Sequence, residues 1–408
     1  MKWIPRNGYM DFLLRNRERQ IIKVVSGVRR CGKSTLFALY QERLLADGVQ
    51  PEQIHVVNFE DIAFEDLLEY HALYRYIEER LVPHQWNYVF LDEIQHVPQF
   101  EKVVDSLFIK DNVDVYITGS NAYFLSGDLA TVLSGRYVEL RMTPLSFAEF
   151  CSAENARQKY TLRELYEKYT TESSFPYALQ LGGSQRDVAE YLRGIYSTIL
   201  LKDVVDRLRV SDVKMLESVV KYVFANIGSL MSSRRIANAM TSAGRKIDGK
   251  TVERYLRGLQ DAFLIYQADR FDLKGKELLK LNPKYYVVDS ALRFLLVGRK
   301  GEDTGHVLEN VVYLELLRRG YQVCVGTMAQ GEVDFVAKNE TGLSYYQVSE
   351  STQQPEVLAR ELKPLQSLRD QYPKTLLTLD EINAEADYNG IRKRNVLQWL
   401  LEATREQP

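Results

Sequence analysis

At 408 residues the chain is long enough for roughly two to four domains, and a hydrophobic share of 45% supplies material for several cores. Lys and Arg number 53 against 55 Asp and Glu, a net charge of −2, so any nucleic-acid surface has to be a local patch. Apolar runs of about five residues exclude a membrane-spanning helix, residues 1–6 carry no apolar leader, and the 3 scattered cysteines (Cys31, Cys151, Cys324) make neither a zinc motif nor a disulfide framework; the expectation is a soluble, cytoplasmic protein.

In chain order, residues 21–25 suit a buried strand. Gly27-Val28-Arg29-Arg30-Cys31-Gly32-Lys33-Ser34-Thr35 follows, the G-x-x-x-x-G-K-S-T pattern of a phosphate-binding loop, and residues 36–45 read as a helix closed by Gly48. Gly27 and Gly32 let backbone wrap a phosphate, and the loop N–H groups with the helix N-terminus make an anion hole. Lys33 brings a positive charge to the outer phosphates, and the Ser34 hydroxyl is a Mg²⁺ ligand. Thr35 is a further phosphate contact, and Arg30 is counted with the nucleotide-binding residues.

Residues 54–59 form a second strand, and a helical stretch over 64–81 follows. Residues 88–91 are apolar and run into Asp92 and Glu93. Carboxylates at the C-terminal end of a buried strand stand where open α/β sheets bind ligands. Asp92 is expected in the Mg²⁺ shell and Glu93 as the base that polarises the attacking water. A fourth strand over 113–118 ends in Gly119-Ser120-Asn121. Asn121 or Ser120 can sense the γ-phosphate or the attacking water there, although both residue types also cap helices. Ser134-Gly135-Arg136 precedes a fifth strand over 137–142. Arg136 is a candidate arginine finger for a neighbouring subunit's ATP; the alternative is a surface arginine in a salt bridge. One strand–helix unit between the loop and the Asp-Glu strand indicates the P-loop class with an additional strand, an α/β fold with a parallel sheet and helices on both faces.

The G-x-R-R-x-G-K-S loop, Leu91-Asp92-Glu93-Ile94-Gln95, Thr118-Gly119-Ser120-Asn121, Ser134-Gly135-Arg136 and Pro144-Leu145-Ser146-Phe147-Ala148-Glu149-Phe150 resemble one set. Together they are similar to the AAA-superfamily ATPases of bacteria and archaea that carry a C-terminal domain of unknown function. The resemblance covers nearly the whole chain. It implies ATP binding, hydrolysis and a Mg²⁺ requirement, and it names no substrate. Cys31 stands where such proteins often have a small aliphatic residue.

Beyond residue 150 the pattern turns helical, with one long helix expected over 188–208 as part of a lid. Short helices over 233–240 and 248–259, then strands beginning near 262 and ending near 288, give the layout of a winged helix. Residues 232–260 hold Arg234, Arg235, Arg245, Lys246, Lys250, Arg254 and Arg257 against Asp248 and Glu253. Lys250, Arg254 and Arg257 fall at helical spacing and suit DNA phosphates, or the unit packs within the protein. A helix over 306–320 and strands over 321–325, 332–337 and 343–349 resemble a restriction-endonuclease-like fold with Glu309, Asp334 and Gln347 facing one region. Its water-activating lysine position is Ser349, so a catalytically degenerate nuclease fold is expected.

The expected domains are therefore an AAA-type core over 1–150, a helical lid over 151–230, a winged-helix-like domain over 231–298 and a degenerate nuclease-like domain over 299–408. The expected function is Mg²⁺-dependent ATP binding and hydrolysis by a motor or switch. The rivals are a slow nucleotide-gated DNA-binding regulator and an ATP-dependent nuclease, which Ser349 disfavours. A finger in trans requires a homo-oligomer.

Overall fold

The computed structural model describes residues 3–122, 133–153, 159–275, 277–299, 304–328 and 331–402. The chain divides into two compact units, one of residues 1–143 with 261–263 and one of residues 144–260 with 264–408.

In the first unit, α1 (Asn7–Arg15), β1 (Ile22–Gly27), α2 (Lys33–Ala46), β2 (Ile54–Asn58), α3 (Tyr70–Glu78), β3 (Asn87–Asp92), α4 (Phe100–Phe108), β4 (Val113–Gly119) and β5 (Tyr137–Met142) follow one another. They build a five-stranded sheet in the order β2-β3-β4-β1-β5. Its neighbouring strands all run parallel. The strand inserted between β1 and β3 is β4, which is the additional strand expected of the P-loop class. Strands β1, β3 and β4 are buried end to end, as strands covered on both faces must be. Because they are parallel, Gly27, Asp92 and Gly119 finish them on the same edge of the sheet.

Helix α2 buries Lys33, Leu36, Phe37, Tyr40 and Leu44 on one face. Phe37 meets Phe90 edge-on at 5.2 Å between centroids, and Phe90 stacks on Tyr116 at 4.8 Å. These rings fix the helix that follows the loop against β3 and β4. Beneath them Lys23 of β1 and Asp114 of β4 form an ion pair whose two side chains are 0% exposed. Lys23 also donates to the Arg19 carbonyl at 2.9 Å, and Asp114 accepts from the Tyr116 hydroxyl at 2.6 Å and the Glu18 N–H at 2.8 Å. The added bonds satisfy the polar atoms that burial would otherwise leave stranded.

The second unit opens with α5 (Phe147–Ser152) and α6 (Leu162–Glu172). Each is started by a capping box, Ser146 with Glu149 and Thr161 with Glu164. The long helix expected over 188–208 is α7 (Gln185–Thr198), which continues as a π-helical segment, Ile199–Asp206. Then come α8 (Val213–Ala225), α9 (Ser233–Ser242), α10 (Gly249–Asp261), β6 (Ile265–Asp272), β7 (Glu277–Val287), α11 (Ser290–Val297) and α12 (Thr304–Arg318). The unit ends with β8 (Gln322–Thr327), β9 (Glu332–Asn339), β10 (Gly342–Ser349), α13 (Pro355–Gln366), β11 (Lys374–Thr378), β12 (Ala386–Tyr388), β13 (Ile391–Asn395) and α14 (Val396–Leu401).

Its sheet has eight strands in the order β12-β13-β11-β10-β9-β8-β6-β7. The β6–β7 hairpin pairs through β6 with β8, so the sheet runs on through the boundary expected at 298/299. An isolated bridge from Leu230 to Lys284 lies between α8 and α9 in the chain and attaches that segment to β7. Asp289 caps α11 through the Leu292 N–H at 2.7 Å, and its other oxygen accepts from the Ser174 N–H at 2.7 Å. No helix among the described residues is long and apolar enough to cross a membrane.

Candidate nucleotide site and the C-terminal acidic cluster

The loop between β1 and α2 can be formed only with glycine at its first position. Gly27 has φ 154°, and a Cβ there would lie 2.2 Å from the Met142 carbonyl oxygen of β5. Gly32 turns the chain into α2 at φ 107°. Arg6, buried ahead of α1, braces the loop by donating to the Cys31 carbonyl at 3.1 Å and the Thr143 carbonyl at 2.9 Å. The loop thus reaches the N-terminus of α2 with its backbone preset for an anion.

Lys33 donates to the Gly27 carbonyl at 3.0 Å and pairs with a Glu93 carboxylate oxygen at 3.2 Å. Burial alone would lower the Lys33 ammonium, but Glu93 and the charges around it raise it above its ordinary value. Burial likewise pushes the Glu93 carboxyl up. The Lys33 charge, bonds from Gln95 and Ser120, and the Arg29 charge outweigh burial and hold Glu93 below the usual range. The base candidate is therefore ionised at neutral pH.

Asp92 behaves differently. Burial raises its carboxyl even though the Ser34 and Thr118 hydroxyls both donate to it. The expected Mg²⁺ pair, Ser34 and Asp92, is thus in direct contact, and the Ser34 hydroxyl, the Asp92 carboxylate and the anion-ready loop suit Mg²⁺ with a phosphate ester. Thr118 also accepts from the Glu93 N–H at 2.8 Å. That bond supports Glu93 at φ 55°, an unfavourable backbone region for a residue with a side chain.

Thr118, Gln95 and Ser120 join Lys33 and Ser34 as partners of the carboxylates here. Gln95 donates to Glu93 at 2.5 Å and to the Ser120 hydroxyl at 3.4 Å. Of the two sensor candidates, Ser120 is buried against Glu93 and Asn121 is half-buried next to it. Thr35 is half-buried on the first turn of α2, and Arg30 is exposed at φ 67°. Arg136 stands ahead of β5, whose first residue Tyr137 is in register with Ile22, so it occupies the sheet end opposite its own loop. There it pairs with Asp105 and lies over the Phe108 ring at 5.6 Å.

In the second unit, Glu309 of α12, Asp334 of β9 and Gln347 of β10 do come together. Gln347 accepts from the Asp334 N–H at 3.3 Å and donates to Glu361 at 3.0 Å, while Asp334 accepts from the Val348 N–H at 2.8 Å. Lys284 from β7 enters the same cluster, 2.6 Å from Glu332 and 3.8 Å from Glu309. Burial raises the Glu309 carboxyl to about 7 despite that ammonium. Ser349 donates to the Ser351 carbonyl at 3.2 Å. Among the described residues no group of three or more His, Cys, Asp or Glu is placed to hold a metal ion.

Helix α10 buries Val252, Tyr255, Leu256 and Leu259 and exposes Lys250, Arg254 and Arg257 together. Glu253 sits among the three and lies 3.9 Å from Arg257.

Residues 19–151 match an AAA domain, and residues 163–303 match a domain of unknown function (DUF8612). An uncharacterized protein of Haemophilus influenzae is 38% identical over 98% of this chain and 99% of its own length. The uncharacterized protein MJ1544 of Methanocaldococcus jannaschii is 30% identical over 89% of this chain and 80% of its own. Among solved structures, the Walker-type ATPase PABY2304 of Pyrococcus abyssi shares the fold at a TM-score of 0.51 and 15% identity, covering 72% of this chain and 96% of that one.

Proposed function

The chain belongs to one family with its Haemophilus influenzae and Methanocaldococcus jannaschii relatives and carries an AAA domain; on that footing we propose that it binds ATP with Mg²⁺ and hydrolyses it, as a motor or switch acting on a partner. One observation carries the reading: Lys33, Ser34, Asp92 and Glu93 meet at one sheet edge beside a loop that only glycine can close.

The geometry supports these roles. The loop N–H groups and the α2 N-terminus bind the phosphates, with Thr35 and Arg30 beside them. Ser34 and Asp92 are the residues that would hold Mg²⁺, which would offset the charge of the phosphates. Lys33 exchanges Glu93 for the outer phosphates, and Glu93, already ionised, takes the proton of the attacking water. Gln95 and Ser120 orient its carboxylate, and Asn121 senses the terminal phosphate alongside Ser120. Arg136 serves only a neighbouring copy, since it lies at the far end of the sheet from its own loop.

Glu93→Gln tests the assignment: it should keep ATP bound and unhydrolysed, and turnover equal to the wild type rejects Glu93 as base. A second reading, a nucleotide-gated DNA-binding protein with a winged-helix reader, is favoured by the exposed face of Lys250, Arg254 and Arg257. The Lys284 ammonium lodged among Glu309 and Glu332 supports a nuclease-like domain without catalysis.

A further inference from the structure

Arg29 of the loop reaches across the candidate site. Its guanidinium pairs with Glu60 at 2.9 Å. Glu60 lies two residues beyond the end of β2 at Asn58, which is in register with Asp92. The Phe59 N–H bonds the Asp92 carbonyl at 3.1 Å, which ties this segment to the end of β3. In the sheet order, β4 and β3 separate β1 from β2. At roughly 4.8 Å per strand the loop after β1 is about 14 Å from β2. A side chain that joins the two therefore lies over the ends of β4 and β3, where Thr118, Asp92 and Glu93 converge.

Two further facts set Arg29 apart from a surface arginine. Its side chain is 13% exposed while that of Glu60 is 55% exposed. The pair is thus a solvent-screened tether of small energy, which a more charged partner displaces. The guanidinium is also near enough to the Glu93 carboxylate for the two charges to interact. A planar guanidinium suits a terminal phosphate whose charge spreads over its oxygens during transfer.

We propose that Arg29 is a catalytic arginine of this site and acts in cis, leaving Glu60 for the terminal phosphate of the ATP held by its own loop. The inference rests on the ATPase reading and adds an arginine in cis to the Arg136 that a neighbouring copy would supply.

The test is steady-state Mg-ATP hydrolysis by the full chain, with ATP affinity measured in parallel. Arg29→Ala should lower kcat by roughly 10³-fold while the Kd for ATP shifts a few-fold at most. Arg29→Lys should not restore the rate, because a point charge does not replace the fork. Mixing Arg29→Ala with Lys33→Ala, which supplies Arg29 on a subunit that binds no nucleotide, should leave the rate low. Wild-type kcat in Arg29→Ala overturns the proposal. So does a rate restored by mixing, which would place the arginine in trans. Loss of ATP binding with no separate effect on kcat in both variants makes Arg29 a binding residue and likewise overturns it. A wild type that binds ATP without hydrolysing it sinks the ATPase reading itself, and this inference with it.

Discussion

Thr118 is where fold and chemistry share one hydroxyl, and Thr118→Val isolates it. The side chain is 0% exposed, its oxygen accepts the Glu93 N–H at 2.8 Å, and it donates to Asp92. Valine keeps the shape and removes both bonds. A buried amide without a partner costs about 1–3 kcal/mol, and a bond to a charged acceptor contributes about 1.5–3 kcal/mol. Asp92 keeps its Ser34 bond, and its carboxyl already stands above the usual range, so taking up a proton relieves part of the loss. The expected destabilisation is therefore about 2–4 kcal/mol, read as a lower urea midpoint for the unit that contains the loop. Turnover should fall with it, because the Glu93 backbone at φ 55° loses the bond that supports it. Thr118→Ser keeps the hydroxyl and should retain most of both. A loss below about 0.5 kcal/mol with unchanged kcat refutes the reasoning, since it means the buried groups find other partners at no cost.

The Glu309 carboxyl, raised to about 7 by burial, binds its proton more tightly in the fold than in the unfolded chain. Its contribution to stability is present below the ordinary carboxylate range and is lost as pH rises towards about 7. Unfolding of the second unit followed from pH 5 to pH 8 should show that decline, and Glu309→Gln should flatten it; an equal slope in the variant contradicts the placement. Replacing Lys250, Arg254 and Arg257 together with Ala should weaken any binding to duplex DNA and reduce its salt slope by about 3. Affinity that is absent at low salt, or indifferent to the triple change, assigns that face to solvent. Lys23→Met should destabilise the first unit by about 3–5 kcal/mol by stranding Asp114, and Lys23→Met with Asp114→Leu should recover most of it; equal loss in the single and double variants points to packing instead.

The candidate nucleotide site was legible because its signals are local. Gly27 to Thr35 is one loop, and Asp92 and Glu93 are adjacent at the end of one apolar strand. The partners of those carboxylates were less so. Thr118 was visible as the last residue of a strand and the first of the Thr118-Gly119-Ser120-Asn121 run, but not as a partner of the carboxylates; that role depends on β4 lying beside β3, which strand periodicity does not encode. The Leu-Asp-Glu-Ile-Gln run contained Gln95 without showing that the chain turns back at Glu93. Arg29 and Arg30 are adjacent in the motif, and only the backbone, with Arg30 at φ 67°, sends one outward and the other across the site. Lys284 had no signal at all, because it reaches the acidic cluster from the far strand of a hairpin that joins the same sheet. That continuity is also why the segment expected to be a winged helix and the C-terminal part fall within one compact unit.

The most direct test of the central claim is steady-state Mg-ATP turnover by the purified chain against Lys33→Ala, with and without duplex DNA at low salt. The account predicts turnover in the wild type and none in Lys33→Ala, with stimulation by DNA if the Lys250–Arg254–Arg257 face is the reader. Wild-type turnover no higher than that of Lys33→Ala contradicts it.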